Sequence, residues 1–370
     1  MTKKTKKRGS YLWGWAGELN TGDDVFLAVV TNYLRMSTHN AEFFIDGDRS
    51  KCTSALYGVK VAQSKGFQIP GQTRLKRFLF RRRSHYFLMI GGSLLPTQTV
   101  VDSIARDNFW TKKGREMVAL GLSVGPFESQ DHEKSTAELL SRMSFVAFRD
   151  DNSYKWALAQ GLTNTILAFD LAVLFPNFLL ENKDKPKLKR IGISLLPWRS
   201  QKGKCSIEDD LDFSRQFGIL LRSIASEQNF EVVFFSLCVN PKSDDRLMAS
   251  AFGEGYGRVG ITNFEHNGDP GRTYEKIAET SHFISMRLHG AILAFTAGVP
   301  FLQLEYHQKC ADFAETIGLD ARQRFSFDES DTQSLESKLR EFLSVTENST
   351  NLSLTALQKR ALKNFHFLIS

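Results

Sequence analysis

Basic side chains stand at both ends of an otherwise apolar segment, SMRLHGAILAFTAGVPFLQLEYHQK, which runs from Ser285 to Lys309. Arg287 and His289 lie near its start, and Tyr306 and Lys309 lie near its end. A guanidinium group forms paired hydrogen bonds with carboxylate or phosphate, and an ammonium group supplies a compact positive charge. Histidine can also transfer protons near neutral pH. These residue types suit the binding and chemistry of a small anion.

The predicted elements bring the two ends of this segment together. Its pattern predicts a strand over 282–285, a helix over 290–297 and a second strand over 301–305. In a parallel sheet the carboxyl ends of both strands share one edge, where open α/β sheets bind ligands. The helix amino terminus at Gly290 adds free N–H groups and a favourable dipole. Ordinary surface ion pairs are the alternative, but three bases on one edge favour an anion-binding crevice.

Polar residues also follow the strands that are predicted in the first half of the chain. They are Asn20 and Asp23, then Ser93, and then Arg149 with Asp150. Asp23 alone would more often cap a helix, and Arg149 alone would more often pair with Asp150. A role in ligand binding or catalysis is favoured because all of them lie where a cleft between two domains would place them. Glycines near them let a ligand approach the backbone closely, although none forms a dinucleotide fingerprint or a P-loop.

Short apolar strands alternate with helices along most of the chain. Continuously apolar strands separated by helices predict parallel sheets that are covered on both faces. The charged, proline-bearing segment ENKDKPKLKR (181–190) interrupts this alternation, which then restarts. We therefore expect an α/β protein with two Rossmann-like domains that face each other across a ligand cleft. The expected bounds are 1–10 for a basic tail, 11–180 and 191–345 for the domains, 181–190 for the linker, and 353–370 for a C-terminal helix docked on a domain.

The net charge of +7 is concentrated in two short stretches of this 370-residue chain. Residues 3–8 contain five Lys or Arg, RLKRFLFRRR (74–83) contains six, and the remainder is net negative. Such patches suit an anionic membrane surface, and nucleic acid is the alternative. No apolar run reaches the length of a membrane-spanning helix, and the four cysteines lack paired spacing. We expect a cytoplasmic protein, with peripheral contact at the inner face of the membrane.

At these residues the sequence resembles the polysaccharide pyruvyl transferase family, over about residues 11–319. The matching motifs are N-x-G-D (20–23), the G-G turn (91–92), G-L-S-V-G-P (121–126), R-D-x-x-S (149–153), the strand-closing Asp170, and S-x-R-L-H…G-V-P…Y-H-x-K. Ser93 departs from the pattern, because a third glycine is common there. The resemblance implies a fold like that of the two-Rossmann-domain (GT-B) glycosyltransferases. It also implies phosphoenolpyruvate as donor, a sugar hydroxyl pair as acceptor and no further cofactor.

Carried over by motif, the catalytic residues would be Asp23, Arg149, His289 and Lys309. The substrate-binding residues would be Asn20, Gly92, Ser93, Arg287 and Tyr306. Phosphoenolpyruvate carries a carboxylate beside a phosphate of about −1.5 to −2 charge, so it demands several cations. Ketal formation also needs proton delivery and removal, for which Asp23 and His289 are the titratable pair, in either order. Arg287 and Lys309 are assigned to the phosphate, and Arg149 to the carboxylate or to the leaving group.

Two other functions compete with this one. A nucleotide-sugar glycosyltransferase in polysaccharide biosynthesis would use the same fold and the same bases for a diphosphate. A non-catalytic nucleic-acid-binding protein would use the two basic patches, but no recognisable nucleic-acid motif supports it, so we expect no nucleic-acid partner. A metal site is not indicated, since the acids of DDLD (209–212) lie in a polar run of the kind that is usually solvated.

Overall fold

The computed structural model describes eleven stretches of the chain. They are residues 9–37, 41–47, 52–63, 71–107, 109–110, 114–179, 187–201, 203–241, 243–257, 261–326 and 332–368. Most of the predicted basic tail (1–10) and most of the predicted linker (181–190) lie outside these residues.

A parallel seven-stranded sheet forms the centre of the first half, in the order β3-β2-β1-β4-β5-β6-β7. Its strands are β1 Gly9–Trp13, β2 Glu42–Gly47, β3 Lys60–Gln63, β4 Ser84–Ile90, β5 Glu116–Leu122, β6 Phe145–Phe148 and β7 Thr165–Leu167. The central strands β4 and β5 are buried along most of their length because helices cover the sheet.

A parallel six-stranded sheet forms the centre of the second half, in the order β12-β9-β8-β13-β14-β15. Its strands are β8 Arg190–Ser194, β9 Glu231–Ser236, β12 Ile261–Glu265, β13 His282–Ser285, β14 Phe301–Glu305 and β15 Arg324–Ser326. A short antiparallel hairpin, β10 Val239–Asn240 with β11 Ser243–Asp244, follows β9.

Helices connect nearly all of these strands. The α-helices are α1 Thr21–Ser37, α2 Cys52–Leu56, α3 Gln72–Arg83, α4 Gln98–Ala105, α5 Gln130–Ser141, α6 Asp151–Ala159, α7 Trp198–Gln201, α8 Ile207–Gln228, α9 Asp245–Tyr256, α10 Pro270–Ala278, α11 Leu288–Thr296, α12 Gln308–Ile317, α13 Thr332–Phe342 and α14 Leu354–Leu362. The 3₁₀ helices are Leu171–Phe178, Ala321–Gln323 and Lys363–Leu368.

The chain divides into two compact units, each with one of the sheets. The first unit comprises residues 1–18, 23–178 and 355–370, and the second comprises 19–22 and 179–354. The excursion at 19–22 is held by backbone hydrogen bonds from Thr21 N to Leu237 O (2.9 Å) and from Val239 N to Leu19 O (3.0 Å). The sequence does not indicate this excursion.

The predicted C-terminal helix docks on the first unit, as its apolar face requires. Its helical part is α14, and a 3₁₀ helix completes it. The Asn364 side chain accepts a hydrogen bond from Gly121 N (2.7 Å) and donates one to Phe169 O (2.9 Å). Phe365 is buried and stacks on Tyr33 with ring centroids 3.8 Å apart.

The apolar patterns of TILAFDLAV (165–173) and YLWGWAG (11–17) predict longer strands than the structure has. The apolar stretch TILAFDLAV (165–173) ends its strand at Leu167 and continues as the 3₁₀ helix from Leu171. The reason is Asp170, whose Oδ1 accepts a hydrogen bond from Ala172 N (2.9 Å) and so starts the helical turn. The strand that the pattern of residues 11–17 predicts likewise ends early, at Trp13.

Candidate functional site

Gly92 and Arg149 meet at the carboxyl edge of the first sheet. Gly92 follows β4, and a side chain there would displace the Arg149 guanidinium. Gly92 O also accepts a hydrogen bond from Ser123 N (2.9 Å), which ties the ends of β4 and β5 together. Ser93, the next residue, is exposed.

Arg149 is held in one orientation by two side chains. Its Nη1 lies 2.8 Å from Asp170 Oδ2, and its Nε donates to Ser123 Oγ (2.7 Å). Only 8% of the residue is exposed. Its acidic partner is thus Asp170, whereas Asp150 caps α6 by accepting from Ser153 N (2.8 Å). A buried, preorganised guanidinium at a strand end is suited to recognising an anion.

Asp23 lies in the first turn of α1, and it does not occupy the N-cap position. The helix dipole stabilises an acidic side chain there. The neighbouring Asp24 is fully buried and accepts a hydrogen bond from Gly17 N (2.6 Å), so it fixes the turn before the helix. Asp23 is only partly buried, and it is the more accessible of the two carboxylates.

In the second unit, Arg287 and His289 lie where β13 leads into α11. Arg287 is the N-cap residue, and its carbonyl accepts a hydrogen bond from Ser285 Oγ (2.7 Å). His289 is in the first turn of α11. A side chain at Gly290 would overlap Ser285 Oγ, so glycine is what allows α11 to approach the end of β13 so closely.

The Arg287 guanidinium is paired with a buried acid. Its Nε and Nη2 lie 3.1 Å and 2.5 Å from the two oxygens of Asp245, and Nη2 also donates to Ser243 Oγ (2.7 Å). Burial alone would lower the pKa of Arg287, but the adjacent Asp245 carboxylate raises it above its ordinary value. Asp245 is fully buried and also accepts a hydrogen bond from Cys238 N (2.9 Å).

The loop after β9 connects this ion pair with the Asn20–Gly22 segment. Thr21 binds Leu237 O with both its backbone N (2.9 Å) and its Oγ1 (2.8 Å), and Asn20 forms a β-bridge with Cys238. A side chain at Gly22 would overlap the imidazole of His289. Residues 20–22 and the R-L-H motif therefore meet in the second unit, although about 265 residues separate them.

Tyr306 and Lys309 lie where β14 leads into α12. His307 caps this helix, with its Nδ1 accepting from Lys309 N (3.3 Å). Lys309 Nζ lies 5.6 Å from the centroid of the Tyr306 ring, a cation–π arrangement. Among the described residues, no acidic side chain pairs with Lys309. Its charge is therefore not neutralised by a carboxylate there, whereas that of Arg287 is paired with Asp245.

The predicted residues thus fall into two groups, each described within its own unit. The first unit contains Asp23, Gly92, Ser93 and Arg149, and the second contains Asn20, Arg287, His289, Tyr306 and Lys309. Sequence reasoning missed Ser123 and Asp245, because spacing does not relate them to the arginines that they bind. Within the described residues, no three His, Cys, Asp or Glu side chains are grouped as metal ligands. None of the described helices is long and apolar enough to cross a membrane.

Comparison with known proteins identifies both a family and a fold. The family model described as polysaccharide pyruvyl transferase matches residues 20–308, which is most of the chain. A search of curated proteins found no significant match.

Several solved structures resemble this one along almost its whole length. The UDP-GlcNAc 2-epimerase of Neisseria meningitidis, bound to UDP-GlcNAc, has a TM-score of 0.61 and 10% identity, and the match covers 98% of this chain and 99% of that one. S. aureus MnaA with UDP has a TM-score of 0.64 and 11% identity, covering 98% and 97%. Anabaena HepE with UDP and glucose has a TM-score of 0.52 and 12% identity, covering 97% and 95%. At these identities the likeness shows the fold alone, and it confirms the predicted GT-B-like class.

Proposed function

Because this chain belongs to the polysaccharide pyruvyl transferase family, we propose that it transfers pyruvate from phosphoenolpyruvate to a sugar. The acceptor is a pair of hydroxyl groups on a polysaccharide or on its lipid-linked precursor, and the product is a pyruvate ketal. The observation that carries the proposal is the family match over residues 20–308. It is supported by the placement of the motif residues at strand ends and helix starts in both units.

The reaction delivers one proton to the methylene carbon and removes two from the sugar hydroxyls, and the departing phosphate takes up the other proton. Protonation of the methylene carbon of phosphoenolpyruvate makes a methyl group and leaves the central carbon electrophilic. One sugar hydroxyl attacks that carbon and loses its proton, the C–O bond to phosphate breaks, and the second hydroxyl closes the ring and loses its proton. We assign these proton transfers to Asp23 and His289, as general acid and base in either order.

The donor also carries two anionic groups. We assign Lys309 to the phosphate, because it has no acidic partner among the described residues and lies in the first turn of α12. Arg149 is assigned to the carboxylate or to the charge that develops on the leaving group, since Asp170 and Ser123 hold it in a fixed orientation. Asn20, Gly92, Ser93 and Tyr306 are assigned to substrate binding.

For Arg287 we propose an indirect part in phosphate binding. Both oxygens of Asp245 and the Ser243 hydroxyl already occupy its guanidinium. We therefore propose that Arg287 positions the start of α11 and the loop that binds Asn20–Gly22. Its contribution to phosphate binding is then indirect, through the neighbours that it orients.

A direct test incubates the protein with phosphoenolpyruvate and a panel of sugar acceptors. Phosphate release and a product heavier than the acceptor by one pyruvate minus water are the expected results. A panel that includes both free and lipid-linked acceptors also identifies the acceptor class. Absence of phosphate release with every acceptor, from folded protein, would count against the proposal.

A nucleotide-sugar glycosyltransferase is the second candidate. The observation that favours it is the likeness to structures that contain UDP or UDP-sugars. The same assay separates the two, because a nucleotide-sugar donor would release nucleoside diphosphate, and UDP would compete with the donor. We propose that the enzyme works in the cytoplasm, at the inner face of the membrane.

A further inference from the structure

Helix α3 carries two different faces. On the inner face, Phe80 packs against Phe44 with ring centroids 4.6 Å apart. Arg77 Nε pairs with Asp46 (2.9 Å), and Arg81 pairs with Asp107. Because residues three and four apart share one side of a helix, these contacts fix α3 to the first unit along a single stripe.

The outer face exposes three large apolar side chains. Leu75, Phe78 and Leu79 are 59%, 51% and 47% exposed, and their spacing of three and four places them on one stripe. Arg82 continues the stripe, with its guanidinium 5.6 Å from the Phe78 ring centroid. An apolar stripe that remains in water on an anchored helix marks an interaction surface.

The six basic residues of α3 divide between the two faces. Arg77, Arg81 and Arg83 have acidic partners, namely Asp46, Asp107 and Glu42. Arg74, Lys76 and Arg82 have none among the described residues, and α3 itself contains no acid. At about 100° per residue, Arg74 and Lys76 flank opposite sides of the apolar stripe. The outer face is therefore both apolar and cationic.

Strand β1 begins beside the carboxyl end of α3. Gly9 begins β1 and pairs in register with Ser84, the residue that directly follows α3. The fit is so close that a side chain at Gly9 would lie 2.6 Å from Arg83 O. Residues 3–8, with five Lys or Arg, precede Gly9 directly in the chain.

We propose that the outer face of α3 docks on a bilayer that contains anionic phospholipid. Leu75, Phe78 and Leu79 enter the interface between headgroups and acyl chains, and Arg74, Lys76 and Arg82 bind headgroup phosphates. Nucleic acid would satisfy the bases but would leave the apolar stripe in water. A second copy of the chain would cover the stripe but would bring two sets of unpaired bases together. The bilayer alone satisfies both features, and this proposal is independent of the catalytic one.

The test is sedimentation of the full chain with vesicles of phosphatidylcholine alone or of equimolar phosphatidylcholine and phosphatidylglycerol. We expect binding to the anionic vesicles only, and weaker binding at high salt. The triple variant Arg74→Gln/Lys76→Gln/Arg82→Gln should reduce partitioning to the vesicles on the order of 100-fold, because the loss of each base should weaken binding by about tenfold or less. Leu75→Ser/Phe78→Ser/Leu79→Ser should also abolish most of the binding, although it leaves the net charge unchanged.

A matched control removes the same charge elsewhere on the first unit. Lys134→Gln/Lys155→Gln/Lys359→Gln changes exposed residues of α5, α6 and α14 and should bind anionic vesicles like the wild type. Thermal unfolding shows whether each variant is folded. If the apolar triple variant is not folded, the single variant Phe78→Ser replaces it.

Equal binding to neutral vesicles, or equal loss in the control triple, would overturn the proposal. The proposal would also be overturned if the protein bound neither kind of vesicle and instead used the three bases and three apolar residues of the outer face to dimerise or to bind nucleic acid.

Discussion

At the scale of single residues, the adjacent carboxylates of Asp23 and Asp24 have different surroundings. Asp24 is fully buried and holds Gly17 N, so its oxygen serves the turn before α1. Asp23 is partly exposed in the first helical turn. A group that exchanges protons with a substrate has to be reachable, which makes Asp23 the carboxylate suited to catalysis.

Neutral substitutes at the two proposed proton-transfer residues should abolish most of the turnover. We expect Asp23→Asn and His289→Gln each to lower kcat by about 10²- to 10⁴-fold, with donor binding largely retained, because the lost step is general acid–base catalysis. Phosphate release measures kcat, and calorimetry with phosphoenolpyruvate measures binding. Asp131→Asn, in the exposed first turn of α5, and His366→Gln, also exposed, are the controls and should stay active. Near-normal turnover in both test variants would refute the assignment.

Gly22 is expected to tolerate no side chain, because a methyl group there would overlap the His289 imidazole. Gly22→Ala should displace the imidazole and lower turnover by roughly 10²-fold, the effect of moving a catalytic group by about 1 Å. Gly253→Ala, at a helical position of the second unit with open space around it, is the matched control and should keep full activity. Turnover assays on both proteins check this, and an active Gly22→Ala protein would show that His289 does not need its present position.

At the scale of elements, the Arg287–Asp245 pair joins α11, α9 and the loop that binds residues 20–22. Removing one partner of a buried pair leaves an uncompensated charge, so Asp245→Asn should destabilise the protein by roughly 3–5 kcal/mol. The neighbouring exposed pair of Arg246 and Asp244 is the control, and Arg246→Gln should change stability by less than about 1 kcal/mol.

Denaturant unfolding measures these changes in stability. Kinetics of the folded fraction then separates a positioning role from a purely structural one. If Asp245 positions the site, kcat falls along with stability, and Asp245→Glu restores part of it. Unchanged kcat in folded Asp245→Asn would limit the pair to a structural role.

The sequence predicts the elements best where an apolar run is long and continuous, as in β4, β5 and β9. It misses β2 and β3, which are short and lie at the edge of the first sheet. It also extends β7 too far, since an apolar pattern does not reveal that the Asp170 side chain will start a helical turn. Local polar contacts decide these boundaries, and the periodicity of apolar residues in the sequence does not show them.

At the scale of the whole molecule, parallel topology explains why the site residues could be proposed from strand ends. Residues that follow parallel strands share an edge of the sheet, and Gly92 after β4 meets Arg149 after β6. Their fixing partners were not predictable in this way. Asp170 follows Arg149 by 21 positions and Asp245 precedes Arg287 by 42, and only the folded chain relates them.

The first unit is built from both ends of the chain, and this has a consequence for folding. Residues 355–370 return to it, where Leu357 and Phe365 are buried and Asn364 satisfies the buried Gly121 N. Deleting them should destabilise the first unit by several kcal/mol, from about 1.5–3 kcal/mol for each large apolar side chain and about 1–3 kcal/mol for the unpaired amide. The second unit loses none of these contacts.

Hydrogen exchange of the truncated chain should therefore accelerate in β5 and β6 while β8 and β13 stay protected. Lys359→Ala in the full chain changes an exposed residue of α14 and should alter neither sheet. Equal acceleration in both sheets would mean that the two units unfold as one, and no acceleration in β5 and β6 would mean that the C-terminal segment contributes little to the first unit.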